Sequence, residues 1–244
     1  MKPSVGDVFK TNSGLCTVVE YLNALNVRVI FEDGYETYCE TGNLRKGNVK
    51  NPYFPSVCGI GFYGVGNFSK NSHKKLYSIW TNLLQRCYDT LSLKDHPTYE
   101  GCFVSESWYN FQNFAHDYEQ MVGSLLNWQL DKDILIKGNK LYSKERCCLV
   151  PQDVNKLFTK CGSSRGGLPI GVSINTRCKN SYRADCRINN ENIYLGCFET
   201  ELLAFQAYKE AKESEIKRVA ELYKEYIDPK VYTALIDYKV EIDD

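Results

Sequence analysis

The apolar residues of this chain recur at two different spacings, and the change of spacing falls across a stretch that no long helix can occupy. Residues 47–72 include Pro52, Pro55 and glycines 59, 61, 64 and 66. Each proline removes a backbone donor, and each glycine weakens a helix interior. Before that stretch the pattern has period two: Leu15, Thr17, Val19 and Tyr21 alternate with Cys16, Val18 and Glu20. After it the period is helical, with Leu76, Tyr77, Trp80, Leu83, Leu84, Cys87 and Tyr88 making one face. A β-rich piece and a helix-containing piece joined by such a connector predict an α+β protein of several small units.

Within the β-rich piece, Val27-Arg28-Val29-Ile30-Phe31 and Tyr35-Glu36-Thr37-Tyr38-Cys39 flank a Glu32-Asp33-Gly34-Tyr35 turn. Asp-Gly between two such runs is a strong hairpin signal, because the turn positions need positive φ. Short strands at this density predict an SH3-like β-barrel over residues 1–50, followed by a connector over 51–75. Further on, Ser105 is a candidate N-cap for a helix carrying Trp108, Phe111, Ala115 and Tyr118. Residues 128–136 read as a strand, Gly138-Asn139 as a turn, 147–150 as the partner strand, and Pro151 as the start of a short helix through Phe158. Residues 161–167 are small and flexible in composition and mark a boundary. Three short strands follow at 170–174, 182–188 and 192–196, with Asn189-Asn190 as one turn. A long helix then runs over 201–226 until Asp228-Pro229 stops it.

Thirty Lys plus Arg against thirty Asp plus Glu cancel over the 244 residues, so the whole molecule does not demand a polyanionic partner. The balance hides an asymmetry. Between residues 154 and 190 stand Lys156, Lys160, Arg165, Arg177, Lys179, Arg183 and Arg187 against the single acid Asp185. From Glu199 onward acids outnumber bases, ending in the acidic segment 228–244 with Glu241, Asp243 and Asp244. A nucleic acid would therefore lie on the linker and the last sheet. With 43% hydrophobic and 25% charged residues, the composition is globular rather than disordered. No apolar run is long enough to span a bilayer, and Met1-Lys2-Pro3-Ser4-Val5-Gly6-Asp7 lacks the apolar centre of a signal peptide; a cytoplasmic protein with no membrane partner is expected. The eleven cysteines sit singly in apolar patterns, apart from the Cys147-Cys148 neighbours, and are expected to be reduced core residues.

Leu168-Pro169-Ile170-Gly171-Val172-Ser173, Tyr182-Arg183-Ala184-Asp185-Cys186-Arg187-Ile188, Tyr194-Leu195-Gly196-Cys197-Phe198-Glu199-Thr200 and Ala204-Phe205-Gln206-Ala207-Tyr208 resemble the AP2/integrase-type DNA-binding domain. The resemblance implies a three-stranded antiparallel sheet on one helix over residues 168–227, its open face lying in the major groove. By alternation Arg183, Asp185 and Arg187 share one face of the middle strand and Tyr182, Ala184, Cys186 and Ile188 the other. Arg165, Arg177, Lys179, Arg183 and Arg187 are the candidate DNA contacts, because cationic forks bind phosphates and the O6/N7 edge of guanine. The reading requires those guanidinium groups to face outward instead of pairing internally. The plainer alternative is a sheet edge kept soluble by Lys and Arg.

Trp80, Arg86-Cys87-Tyr88, Pro97-Thr98-Tyr99, Trp108, Phe111, Phe114, Leu130-Asp131-Lys132-Asp133, Gly138-Asn139, Tyr142-Ser143, Cys147 and Asn155 resemble the HNH-like segments of bacteriophage and homing-endonuclease-type proteins. That resemblance implies a ββα-containing unit over residues 76–160. It puts Asp131 and Asn155 at ligand positions for Mg²⁺ or Mn²⁺, if the unit is a working nuclease. The family's general base is a histidine, and here Lys132 takes its place. An exposed lysine is protonated near neutral pH and accepts no proton; Lys132 would instead stabilise charge on the phosphorane, with Asp133 beside it. Of the three histidines, His116 is the one from which an attacking water could be assisted. The alternative is that Asp131, Lys132 and Asp133 form a surface ion cluster on a scaffold without the chemistry.

Together these features point to a phage or mobile-element protein that binds double-stranded DNA in the host cytoplasm and, if the HNH-like unit is active, nicks it as a metal-dependent endonuclease. Two other readings stay open. One is a non-catalytic regulator on a degenerate nuclease scaffold. The other is an interaction protein that blocks a host enzyme through the acidic rim of its barrel (Glu32, Asp33, Glu36, Glu40) or its acidic tail.

Overall fold

The computed structural model describes residues 2–126, 128–158, 167–176 and 181–242. The chain divides into two compact units, Met1–Tyr118 with Lys140–Ser143, and Glu119–Asn139 with Lys144–Asp244. The fold is α+β, with mainly antiparallel sheets and seven α-helices among the described residues.

In the first unit, β1 (Val8–Thr11), β2 (Gly14–Asn23), β3 (Asn26–Phe31) and β4 (Glu36–Cys39) form an antiparallel meander in that order. Alternation drives it: Cys16 and Val18 on β2 and Val27, Val29 and Phe31 on β3 all enter one core. The Asp33-Gly34 turn forms as expected, with Gly34 at φ +87° and the Phe31 N–H donating to the Tyr35 carbonyl at 2.9 Å. The expected barrel does not close. Among the described residues β1 and β4 remain edges, because the chain passes from β4 into α1 (Thr41–Arg45), and Leu44 with Val49 covers the apolar face instead.

The Gly/Pro stretch is ordered by backbone bonds to its own unit. Phe62 donates to the Tyr109 carbonyl (2.9 Å) and Phe111 donates to the Phe62 carbonyl (3.0 Å). Gly61 is required there because a Cβ would collide with Leu84. Helix α2 (Lys74–Tyr88) buries Leu76, Trp80, Leu83, Leu84 and Cys87, the face its spacing predicted. After α3 (Thr90–Asp95) and β5 (Phe103–Val104), α4 spans Phe111–Gln120. It starts later than Ser105, since residues Glu106–Tyr109 form a 3₁₀ turn and Asn110 accepts the Gln112 N–H at 2.9 Å. Trp80, Trp108, Phe111 and Phe114 are fully buried, and the Trp80 indole donates to the Trp108 carbonyl at 2.7 Å.

The chain then alternates between units. Strand β6 (Gln129–Asp131) belongs to the second; β7 (Leu141–Tyr142) pairs in parallel with β5 in the first; β8 (Cys148–Val150) pairs antiparallel with β6. The expected 128–136 strand is thus only three residues long. Helix α5 (Gln152–Lys156) follows Pro151. Beyond it, β9 (Val172–Ile174), β10 (Tyr182–Ile188) and β11 (Glu191–Phe198) form an antiparallel sheet ordered β11-β10-β9.

Helix α6 (Glu201–Tyr223) serves two cores in turn. Its first half packs Ala204, Phe205 and Tyr208 on Val172, Ala184 and Cys186 of the sheet. Its second half packs Ile216, Val219 and Ala220 against Ile134, Val150 and Val154. Asp228 then caps α7 (Pro229–Ile236), whose Val231 and Leu235 complete the second core. The segment expected as an acidic tail therefore carries a helix, and Val240 returns to the core under the sheet.

Candidate nucleic-acid interface

With one face of the β9–β11 sheet buried on α6, the register fixes what the other presents. Arg183 stands opposite Ser173 and Cys197, Asp185 opposite Tyr194, and Arg187 opposite Asn192, and directly opposed residues share a face. A bulge between Ala184 and Asp185 brings Tyr194 into that row. The Asn189-Asn190 turn has both residues at positive φ, +52° and +65°, as a two-residue hairpin loop requires.

The two described arginines differ. Arg183 forms a fork with Asp185 (Nε to Oδ2 2.7 Å, Nη2 to Oδ1 2.6 Å) and lies 4.9 Å from the Tyr194 ring centroid. Its hydrogen bonds to the Asp185 carboxylate raise its already high pKa. Against the sequence expectation, this guanidinium is internally paired, because a strand residue two positions away lies on the same face within reach. Arg187 is exposed, and among the described residues only its Nε is engaged, donating to the Asn190 carbonyl at 3.2 Å. Arg165, Arg177 and Lys179 lie outside the described residues.

Cys197 also sits on this outer face, and it is disulfide-bonded rather than reduced. The Tyr194 hydroxyl donates to its sulfur at 3.4 Å. The register that sets it opposite Arg183 removes it from the apolar environment that shields Cys16, Cys148 or Cys186. Among the described residues, eight other cysteines form no disulfide.

The residues singled out around Asp131 build a loop. Asp131 Oδ1 accepts the N–H groups of Asp133 and Ile134, both at 2.8 Å. Burial pushes its carboxyl above the usual range, more than those N–H bonds lower it. Lys132 is only 8% exposed, so its ammonium lies below the surface although its partner Asp133 is half-exposed. Its ammonium donates to Asp133 Oδ2 at 2.6 Å and to the Asn139 carbonyl at 2.7 Å, while the Asn139 amide returns a bond to the Lys132 carbonyl at 3.0 Å. Asn155 donates its amide to the Gln129 side chain. His116 belongs to the first unit, on α4, with an exposed ring 3.8 Å from Asp117. Asp131 Oδ1 thus brackets its own loop, and the Asn155 amide nitrogen is held by Gln129. Among the described residues, no three His, Cys, Asp or Glu side chains are grouped to hold a metal ion.

In the first unit, the acidic rim is partly occupied by its own sheet and connector. Glu36 pairs with Arg28 at 3.0 Å, and Asp33 accepts the Asn51 amide at 2.7 Å. The connector aromatics extend that anchorage, Tyr53 lying between Tyr35 (5.6 Å) and Phe62 (6.0 Å). Tyr194 and Asn192 were not singled out by sequence reasoning; alternation on β11 marks Asn192, but the bulge that aligns Tyr194 has no sequence signature. No described helix is long and apolar enough to cross a membrane. No family model, curated protein or solved structure matches the chain.

Proposed function

We propose that this chain is a double-stranded-DNA-binding protein that presents the outer face of the β9–β11 sheet to the duplex in the manner of an AP2-type module. On this reading the first sheet is an SH3-like element, the central segment an HNH-like scaffold, and the source a phage or mobile element acting in a host cytoplasm. The observation that carries the reading is the asymmetry of one sheet. Its inner face is buried on α6, and its outer face gathers Arg183, Arg187, Asn192 and Tyr194 within the most basic stretch of the chain.

Each group has a part. Arg187 offers both terminal nitrogens to a phosphate or to a guanine edge. Arg183, held between Asp185 and Tyr194, keeps a fixed orientation and leaves Nη1 for a backbone phosphate. Asn192, opposite Arg187, suits the N6/N7 edge of adenine. Because Asp131, Lys132 and Asn155 act within the second unit itself, binding without cleavage is the reading supported best.

The test is duplex affinity against salt, with supercoiled plasmid plus Mg²⁺ or Mn²⁺ alongside. Four cations on phosphate, Arg177, Lys179, Arg183 and Arg187, give a slope of log K on log salt of about −4. Arg187→Ala should flatten it by about one unit. A slope near zero would replace DNA with a protein partner, and nicked circles that vanish in Asp131→Ala would restore the nuclease.

A further inference from the structure

Beside the Asn189-Asn190 turn, a half-open cavity of about 260 Å³ is bordered by that turn, α5 and the second half of α6. Four cations line it, Lys156, Arg187, Lys212 and Arg218, with two acids, Asp153 and Glu215. Both acids are already engaged. Glu215 takes the Arg218 fork at 2.6 and 2.9 Å and the Asn189 N–H at 2.9 Å. Asp153 lies 3.8 Å from the Lys156 ammonium and accepts the Tyr223 hydroxyl at 3.3 Å.

Two cations are left over. Among the described residues, Arg187 uses only its Nε, on the Asn190 carbonyl. Lys212 is half-buried and has no hydrogen bond or ion pair among the described residues. Burial lowers the pKa of its ammonium; the nearby Cys186 and Glu215 oppose that shift, and the like charge of Arg187 adds to it more weakly. Holding two like charges against one walled space is unfavourable unless an anion joins them.

We infer that this cavity is a binding site for a phosphate group, gripped between Lys212 and Arg187. A phosphate monoester carries about −1.5 to −2 charges near neutral pH, which matches the excess of two cations. The apolar side chains of Val219 and Leu222 give the attached organic moiety a wall. That group belongs either to the 5′ end of a nucleic-acid strand or to a free nucleotide. The site shares Arg187 with the outer sheet face, whereas Lys212 belongs to the cavity alone.

The experiment is calorimetric titration of the full chain with inorganic phosphate, in wild type and three variants. Saturable binding is expected, with Lys212→Met weakening it by at least about tenfold, roughly 1.4 kcal/mol. Lys212→Arg should keep the affinity, and Lys217→Gln, an exposed lysine on the same helix, should leave it unchanged. Without phosphate, Lys212→Met should melt at or above the wild-type temperature, because an uncompensated charge has gone. Titrating 5′-phosphorylated against 5′-hydroxyl duplex, and AMP against adenosine, assigns the source to whichever phosphate binds more tightly. No saturable phosphate binding, equal losses in Lys217→Gln and Lys212→Met, or a lowered melting temperature in Lys212→Met would each overturn the inference. The inorganic-phosphate, AMP and melting results do not depend on whether the sheet holds a duplex.

Discussion

Replacing Asp131 separates a ligand of a catalytic metal from a bracket of a loop. In Asp131→Ala, the N–H groups of Asp133 and Ile134, each 2.8 Å from Oδ1, lose their acceptor. Ile134 is buried in the core shared with α6 and α7, so water cannot fully replace the bond. At about 1–3 kcal/mol for each stranded donor, partly offset by removing a buried charge, the net loss is about 2–4 kcal/mol. For a chain of this size that lowers the melting temperature by about 5–15 °C. Asp131→Asn keeps an acceptor oxygen in place and removes the desolvated charge, so it should match or exceed wild type. The pH dependence has a definite sign. Because burial raises the folded-state pKa of Asp131 above its unfolded value, the folded protein binds the extra proton between the two values. This group's contribution to stability then falls as pH rises through that window and is flat above it. Urea unfolding of the three proteins from pH 4 to 7 is the assay. A loss under about 1 kcal/mol in Asp131→Ala, or a greater loss in Asp131→Asn, would refute the bracket.

Three further outcomes are expected. Glu215 behaves oppositely to Asp131: the Arg218 fork holds its carboxyl below the usual range, so its stabilisation is present above the ordinary glutamate pKa and disappears as pH falls through the folded value. Acid unfolding curves of Glu215→Gln should accordingly be flatter than wild type below about pH 5, and identical curves would contradict the assignment. Trp80→Phe leaves the Trp108 carbonyl without its 2.7 Å donor inside a fully buried cluster; a loss of about 2–4 kcal/mol is expected by chemical denaturation. In unfolded, unreduced protein Cys197 should resist iodoacetamide and become labelled only after reduction, whereas Cys16 and Cys186 label at once, as peptide mass spectrometry can check.

Much of the fold was legible because short-range periodicity reports burial. The 3–4 spacing of Leu76, Trp80, Leu83 and Cys87 became the buried face of α2, and alternation on β10 put Ala184 and Cys186 inside with Arg183 and Arg187 outside. Local chemistry also marked the ends: Gly34 and Asn189-Asn190 take the positive φ that their turns require, while Asp33 does not. Barrel closure was not legible, since it depends on whether a distant strand or Leu44 covers the first sheet. Nor was the Asp185 fork on Arg183, because strand spacing tells which side chains are neighbours but not which partner each prefers.

The chain's own order of residues determined the element types, the inward and outward faces of the last sheet, and the concentration of cations between residues 154 and 190. Tertiary structure alone decided that Lys132 is a buried strut, that α6 serves two cores, and that Lys212 and Arg187 border one cavity. The physical reason is range. Backbone preference and periodicity act over a few residues, whereas desolvation and charge pairing depend on groups that only folding brings together, 25 positions apart in sequence for Arg187 and Lys212.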